Sequence, residues 1–514
     1  MVSEFVNRSG VFHKLKRLPY WPLASLAAGI LTTLAFAPFN LSWLVFFTVG
    51  LVLYLWVTLS TKHAVISAWL FSLGLQCSGV SWIYYSLHVH GSAPAFFAII
   101  LVLLLCCYLS IYAALAVYVV NSYLPNSNTL RLMIFYPASW VVFEWLQGYV
   151  MTGFSWMQLG YTQIDMPLSG FAAILGNHAI SGIIVVSAGA LVLLFNQRKT
   201  LNLKRINFVV LPVLVIWSVG AWLKPISWTY NDGPPLRVSV IQGNIAQKDK
   251  WNPQIKAATL KMYRDLSLLQ RDVDLIVWPE TAVPDYRYRM SPYLELLGRD
   301  FKARGTDILL GIFVKNDDNR VLNSVLNVNG GVYQKRHLVP LGEYIPLRFL
   351  IEFFNKFVKI PMSDIASGDE EQELLVAAGI PLGVSICFEE AFSRDVIRDL
   401  PEAKLLVNVS NDAWFEDSHE PHQHHAIARM RALETGRYMI RSTNTGVTSL
   451  IGPHGEVIKQ LPQFEQGILQ GEVQPLSGST PYVRWGDWLI ISLCTLLLAF
   501  FAVRGKKCKI KLES

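Results

Sequence analysis

Eight apolar runs constrain what this chain can fold into more than any other feature. A helix that spans a lipid bilayer needs about 20 mostly apolar residues. Runs of roughly that kind lie near residues 22–38, 41–59, 64–84, 94–121, 131–149, 170–195, 206–224 and 486–503. Composition agrees: 52% of residues are hydrophobic and only 16% are charged, against about 25% charged in soluble domains. The run at 131–149 contains Glu144. A carboxylate there is expensive in lipid, so it is expected to face the bundle interior or a wet cavity. Lys14, Lys16 and Arg17 precede an apolar run ending in Ala35-Phe36-Ala37, which has the form of a secretory leader. A second apolar run follows at once, so a retained first span is expected.

The basic residues predict an orientation. Besides the group before the first run, Arg198, Lys199, Lys204 and Arg205 lie between the sixth and seventh runs. Arg504, Lys506, Lys507, Lys509 and Lys511 follow the eighth. With eight spans all three clusters fall on one side, which the positive-inside rule makes cytoplasmic. Residues 225–485 then lie outside, and both termini inside. The net charge of +7 is spent at span ends rather than on an aromatic, nucleic-acid-binding face.

Residues 225–485 have another texture. Leu236–Ile241, Leu275–Trp278, Ile308–Val314, Gly383–Cys387 and Leu405–Ser410 read as strands. Val321–Val328 and Val332–Arg336 flank Asn329-Gly330, a hairpin signal. Ser393–Leu400 and Pro421–Thr435 read as helices. The expected organisation is a membrane domain of seven spans (1–224), an α/β domain (225–485), and an eighth span with a basic tail (486–514).

Six cysteines are present, and Cys387 alone lies in the long polar stretch. No CxxC pair occurs, which weakens zinc and redox readings. Cys387 ends the apolar segment Gly383-Val384-Ser385-Ile386, before a helical pattern. A nucleophile at a sharp strand-to-helix turn is exposed, with following N–H groups free to stabilise an oxyanion. A buried structural cysteine is the alternative. An unpaired thiol on the outer side that the topology predicts argues for reactivity. A thiol needs a base or a positive neighbour to become a nucleophile. Glu280 follows the strand Leu275–Val277, and Lys335 ends the hairpin. Each alone reads as a solvated turn residue; as a set they are a carboxylate, an amine and a thiol at three strand ends.

Pro279-Glu280, Tyr333-Gln334-Lys335 and Ser385-Ile386-Cys387 together resemble the Glu-Lys-Cys triad of the nitrilase (carbon–nitrogen hydrolase) superfamily. Gln242-Gly243-Asn244, the segment Leu338 to Pro346, Ser410-Asn411-Asp412-Ala413-Trp414-Phe415 and Ala428 to Glu434 narrow this. With Arg441 to Gly446 and Gly153-Phe154-Ser155-Trp156, they resemble the apolipoprotein N-acyltransferase family, from the first span to the eighth.

The resemblance implies a nitrilase-like α-β-β-α sandwich, periplasmic, on a polytopic helical bundle of about eight spans in a bacterial inner membrane. It implies that Cys387 takes an acyl chain from a phospholipid, chiefly phosphatidylethanolamine, as a thioester. Glu280 would be general base and then acid, with Lys335 and the N–H of Phe388 holding the oxyanion. The acceptor would be the α-amine of a diacylglyceryl-cysteine at an apolipoprotein N-terminus. No cofactor, metal or nucleic acid is implied. Glu343 and Glu389 match family carboxylates at the site, and Trp251 and Trp414 match nearby aromatics. Asn411, Trp156 and Tyr344, inside the quoted motifs, are further candidates for substrate contact. The sequence departs from the family pattern at Phe388 (usually Tyr), Gln147 (commonly Arg), Ser155 (often Pro) and Glu416 (often Gly).

Leu347, Leu350, Ile351, Phe354, Phe357 and Val358 recur at helical spacing. They predict an amphipathic lid dipping into lipid headgroups, with Phe354 and Phe357 as lipid contacts; a surface helix packed on the core is the alternative. His419, His422, His424 and His425 crowd together without HExxH spacing, so a helix start beside the site is preferred over a metal centre. Two other functions stay open. A membrane-anchored amidase would use the same triad but needs only one anchor. A transporter or sensor predicts paired broken helices at the midplane and a dispensable Cys387.

Overall fold

The computed structural model describes residues 19–197, 203–340, 342–344 and 365–513. A helix occupies each apolar run: Trp21–Thr32, Leu44–Thr58, Thr61–Gly79, Ala95–Tyr123, Tyr136–Gln147, Ala172–Gln197, Leu203–Leu223 and Trp488–Glu513. Several are shorter than their runs, because an apolar sequence does not mark where a helix stops. The first passes into a tight turn at Thr33–Ala35 ahead of Pro38, and Thr61–Gly79 bends by 59° into Ile83–His90. By length and composition, Ala95–Tyr123 and Pro167–Asn196 suffice to cross a membrane, with the bent pair as a third candidate. Trp21–Ala35, Leu44–Thr58, Val209–Leu223 and Trp488–Arg504 are apolar but shorter. The described residues therefore hold two or three candidate spans.

The bundle carries apolar side chains on both its inside and its outside. Phe96, Leu104, Leu211, Leu214, Leu493 and Leu496 are exposed, an outer surface suited to lipid rather than water. Small residues let the helices touch. A Cβ on Gly29 would meet the Phe71 carbonyl oxygen at 1.9 Å, and one on Gly74 the Leu26 oxygen at 2.3 Å. Helices Trp21–Thr32 and Thr61–Gly79 thus cross backbone to backbone, as small-residue contacts permit in lipid.

Two large sheets build the α/β part, and a short antiparallel pair, Thr229–Asn231 with Leu476–Gly478, lies beside them. One runs in the order Gly467–Val473, Leu236–Gln242, Leu275–Val277, Asp307–Lys315, Val321–Asn327 and Val332–Gln334, with Val283–Tyr286 also on Asp307–Lys315. The other runs Val457–Gln460, Ser449–Ile451, Met439–Thr443, Leu405–Ser410, Ile380–Ile386 and Leu375–Ala377. The central pairs are parallel and the edges antiparallel. Strand side chains alternate between faces. Val238, Val240, Leu275 and Val277 meet Val384, Ile386, Val407 and Val409 in one core between the sheets. Ile276, Ile308 and Leu310 point the other way, against Leu260, Leu297 and Phe301 of helices Pro253–Leu268 and Ser291–Lys302. Leu406 and Met439 of the second sheet pack on Ala428 and Ala432 of helix Glu420–Thr435. Helix, sheet, sheet and helix form the expected layers.

Polar contacts fasten this domain to the bundle. The helix Ala172–Gln197 breaks at Gly176 (φ 74°, ψ −180°), and the new helix start at Asn177 donates its N–H to Glu434 at 2.8 Å. A carboxylate at a helix N-terminus answers an orphan donor and the positive end of the dipole. Trp82 and Trp156 both donate their indole N–H to Gln423, at 3.1 and 2.8 Å. Glu144 faces the interior as expected. It accepts from Trp140 and from the Leu159 N–H, each at 3.1 Å, and lies 3.3 Å from His178.

Candidate active site

Glu280, Lys335 and Cys387 line one cavity of about 100 Å³, together with Glu343, Asn323, Asn411, Trp251 and Trp414. Ser86, Leu87 and Gly91 of the bent helical segment close its membrane side. Each of the three reaches the cavity by a different local device.

Glu280 follows strand Leu275–Val277 in a tight turn, with Thr281 at φ 46°. Gly311 makes room for it: a Cβ there would meet the Thr281 nitrogen at 2.2 Å and the Glu280 Cα at 2.7 Å. Lys335 lies just beyond strand Val332–Gln334, after the expected hairpin, and its N–H continues the ladder to the Asn323 oxygen at 2.8 Å. Cys387 lies one residue past its strand, not at its end, since Ile380–Ile386 stops before it. Its φ of 52° turns the chain sharply into the short helical turn Cys387–Ala391. A residue with a Cβ is strained there by about 1–3 kcal/mol, a cost typical of functional turns.

Carboxylates surround the ammonium. Lys335 is 1% exposed, and its Nζ donates to Glu343 at 2.9 Å. Glu343 also accepts the Val339 N–H at 2.8 Å. Asn323 bridges the two acids, donating to Glu280 at 2.7 Å and to Glu343 at 3.2 Å. Burial works against the Lys335 charge, but Glu343 and Glu280 outweigh it and its pKa is raised. Burial raises Glu280, with Lys335 opposing and Glu343 reinforcing. Burial and the Glu280 charge push the Cys387 thiol well above its ordinary range. The site therefore holds a neutral thiol beside a strengthened base and a fixed cation.

Beneath the thiol lies a buried charge network. Glu389 accepts from the Tyr333 hydroxyl at 3.0 Å and from the N–H groups of Arg336, His337 and Ile386 at 2.6, 3.0 and 2.7 Å. It ties the Lys335 hairpin to the Cys387 turn, and burial pushes its pKa up to about 7. His424 lies 3.1 Å from the Cys387 carbonyl oxygen, 3.3 Å from Glu390 and 3.2 Å from Glu420. Arg441 donates to Asn408 at 2.7 Å and to Asp412 at 3.3 Å. Asp412, Glu420 and His424 bring three metal-capable atoms within 4.8 Å of one another. Arg441 and the imidazole already meet these carboxylates, so the group is supplied with its own cations.

The remaining expected residues divide. Trp251 stacks on Phe313 (5.6 Å between centroids) in the cavity wall. Trp414 stands edge-on to His90 of the bundle. Asn411 donates to Gln247 at 2.8 Å and accepts from Asn444 at 3.0 Å. Trp156 stacks on Phe388 at 6.2 Å, forming the apolar wall behind the nucleophile turn. Tyr344 instead donates to Thr152 at 2.8 Å, joining the loop after Glu343 to the bundle. Phe354 and Phe357, with their expected lid, lie outside the described residues. Asn323, Lys250 and Gln247 were not anticipated. A polar residue inside the apolar strand Val321–Asn327 was the available sign of Asn323.

Comparison with known proteins agrees with this geometry. Residues 28–190 match the model of the apolipoprotein N-acyltransferase N-terminal domain, and residues 237–482 that of carbon–nitrogen hydrolases. The apolipoprotein N-acyltransferase of Methylococcus capsulatus is 39% identical over 489 residues, covering 94% of this chain and 96% of its own. That of Pseudomonas syringae pv. tomato is 40% identical over 503 residues, covering 96% and 98%. The crystal structure of a Helicobacter pylori carbon–nitrogen hydrolase aligns with 47% of this chain and 89% of its own at 18% identity, with a TM-score of 0.34. At about 40% identity over nearly its whole length, the chain belongs to the apolipoprotein N-acyltransferase family.

Proposed function

We propose that Cys387 carries an acyl chain from a membrane phospholipid, phosphatidylethanolamine foremost, to the N-terminal amine of a diacylglyceryl-cysteine apolipoprotein. The enzyme is an acyltransferase of lipoprotein maturation. One observation carries the assignment of residues: Glu280, Lys335 and Cys387 line a single cavity that Ser86, Leu87 and Gly91 of the bundle also border. A chamber walled partly by membrane helices suits substrates that arrive in lipid.

In the first half-reaction, Glu280 takes the thiol proton as sulfur attacks the ester carbonyl. Negative charge on that oxygen is met by the Lys335 ammonium and the Phe388 N–H. The carbon–oxygen bond breaks, and Glu280 returns the proton to the departing lysophospholipid hydroxyl. In the second, the acceptor amine attacks the thioester, the carbon–sulfur bond breaks, and Glu280 carries the amine proton back to sulfur. Because burial and Glu280 both disfavour the thiolate, proton transfer belongs to the attack itself rather than to a resting ion pair. Glu343 and Glu389 fix Lys335 and the Cys387 turn. Trp251, Trp414 and Asn411 border the substrate, Trp156 supports it from the bundle, and Tyr344 ties the loop after Glu343 to the bundle.

The same reading gives the architecture: seven spans in 1–224, a periplasmic catalytic domain in 225–485, and an eighth span with a cytoplasmic tail in 486–514. Eight helices at eight apolar runs and three basic clusters on one side support it. The test uses the purified protein and a phospholipid with a labelled acyl chain. A hydroxylamine-labile adduct, lost in Cys387→Ser, is expected. Small-amide hydrolysis without an adduct would overturn the proposal in favour of an anchored amidase.

A further inference from the structure

Two buried lysines lie beside the catalytic residues, and among the described residues only Lys335 has a carboxylate in ion-pair contact. Lys335 is held by Glu343. Lys250, at the end of helix Gln247–Lys250, is 6% exposed. Its Nζ donates to the main-chain oxygen of Glu280 at 3.0 Å, and among the described residues that neutral oxygen is its one hydrogen-bond partner. An ammonium offers three donors. Burial pulls its pKa down to about 8, with Glu280 and Cys387 only partly opposing. A buried cation left in this condition is unfavourable unless an anion joins it.

The surroundings say where that anion would sit. Lys250 lines a second cavity of about 800 Å³ that shares Gln247, Trp251, Phe313 and Trp414 with the catalytic one. Lys248, Lys256 and Arg289 also border it. Among the described residues Asp285 is the one carboxylate in that wall, and Lys256 already engages it at 2.6 Å. Val89 and His90 of the bundle complete the lining, so the cavity abuts the membrane part.

We propose that Lys250 binds the phosphodiester of the lipid acyl donor, with the headgroup in this outer cavity while the acyl ester reaches Cys387. The inference rests on the phospholipid donor reading. In such a lipid only the glycerol bridge separates phosphate from ester, so the two groups fall in adjoining chambers. The diacylglyceryl-cysteine acceptor carries no phosphate, so Lys250 has its counter-ion in the first half-reaction only.

The test measures Cys387 adduct formation by the full-length protein in detergent, with phosphatidylethanolamine and with an uncharged diacylglycerol of the same chains. In Lys250→Met the rate with phosphatidylethanolamine falls by about tenfold through KM and that with diacylglycerol by less than about twofold, the scale of one charge-assisted hydrogen bond. Lys250→Arg recovers most of the loss. Inorganic phosphate slows the wild-type reaction with diacylglycerol if the site takes any phosphate, and leaves it unchanged if the lipid's own headgroup is required; either result keeps the anion at Lys250. Equal losses with both donors would overturn the proposal and make Lys250 a support for the Glu280 turn. A loss confined to transfer onto the peptide would overturn it in favour of an acidic acceptor. No wild-type adduct with either donor would sink the donor reading, and this proposal with it.

Discussion

The imidazole of His424 stands 3.1 Å from the carbonyl oxygen of Cys387, the residue whose φ of 52° presents the thiol. The same ring contacts Glu390 and Glu420, so it joins the strained turn to a fully buried ion network. Burial and Arg441 pull its pKa down, but Asp412 and Glu420 outweigh them and hold it at about 9, against an ordinary 6.5. Burial lifts Glu420 from 4.5 to about 7. Both groups bind protons more tightly when folded. Their stabilisation is therefore complete below the unfolded values and is lost as pH rises through about 7 for Glu420 and about 9 for His424. Asp412 works oppositely: burial is outweighed by Arg441, its pKa is about 2 against 3.8, and its contribution disappears as pH falls toward 2. Thermal unfolding in detergent should show stability declining from mildly acidic pH toward pH 9. His424→Gln should flatten the alkaline part of that decline and cost about 3 kcal/mol at neutral pH, by leaving buried carboxylates without their cation. An unchanged alkaline limb would show that His424 is not the titrating group.

Glu389 is held by more donors than any conservative replacement can answer. It receives one hydroxyl and three backbone N–H groups. In Glu389→Gln one acceptor oxygen becomes an NH₂ facing an N–H donor. The expected result is a loss of about 1–3 kcal/mol from an unsatisfied buried donor, with slower adduct formation because the Lys335 hairpin and the Cys387 turn are no longer tied. A variant as stable as wild type but inactive would instead place Glu389 in direct contact with substrate.

What the sequence made legible follows from how local each signal is. Apolar composition is local, so all eight helices fall on the apolar runs; helix ends are not, so lengths were overstated. Glu280, Lys335 and Cys387 were visible because each adjoins a strand with turn chemistry beside it. Asn323 and Lys250 were not. Whether a polar residue in an apolar strand, or a lysine in Gln247–Lys250, turns toward the thiol depends on how the two sheets meet. The His419 to His425 cluster predicts a helix start beside the site, and helix Glu420–Thr435 starts there; that His424 meets Glu390 and Asp412 is not legible, because those residues come from other segments. Trp156 and Tyr344 read as candidates for substrate contact; in the fold Trp156 stacks on Phe388 and Tyr344 donates to Thr152, partners from distant segments that sequence spacing does not indicate.

Glu416 has φ 51° and ψ −153°, a region that suits glycine. Its carboxylate reaches His90 of the bundle at 2.9 Å and is half exposed. A half-exposed carboxylate contact of this kind is worth under about 1 kcal/mol, whereas the backbone strain is worth about 1–3 kcal/mol. Glu416→Gly should therefore stabilise the protein by about 1 kcal/mol, while Glu416→Ala keeps the strain, loses the pair and should be slightly less stable than wild type. Denaturant midpoints of the three proteins decide it. If Gly is less stable than Ala, the tie to His90 outweighs the turn.

Gly311 offers a way to move the candidate base without touching it. A methyl group there would meet three backbone atoms of the Glu280 turn: the Thr281 nitrogen at 2.2 Å, and the Glu280 carbonyl carbon and Cα both at 2.7 Å. Backbone cannot swing aside as a side chain can, so Gly311→Ala must displace Glu280 from Asn323 and from the thiol. Overpacking of this kind costs about 1–3 kcal/mol. A displacement of about 1 Å at a reacting group costs about 100-fold in rate. Gly471→Ala is the control. Its new methyl meets side chains alone, Leu450 at 2.4 Å and Lys459 at 3.8 Å, in the strand Gly467–Val473. Gly471→Ala, whose side-chain neighbours can give way, should lose less stability than Gly311→Ala, and only Gly311→Ala should lose thioester formation per folded protein. Equal activity in both, measured as the adduct per folded protein, would mean that catalysis tolerates a shifted Glu280, and would remove it as the general base.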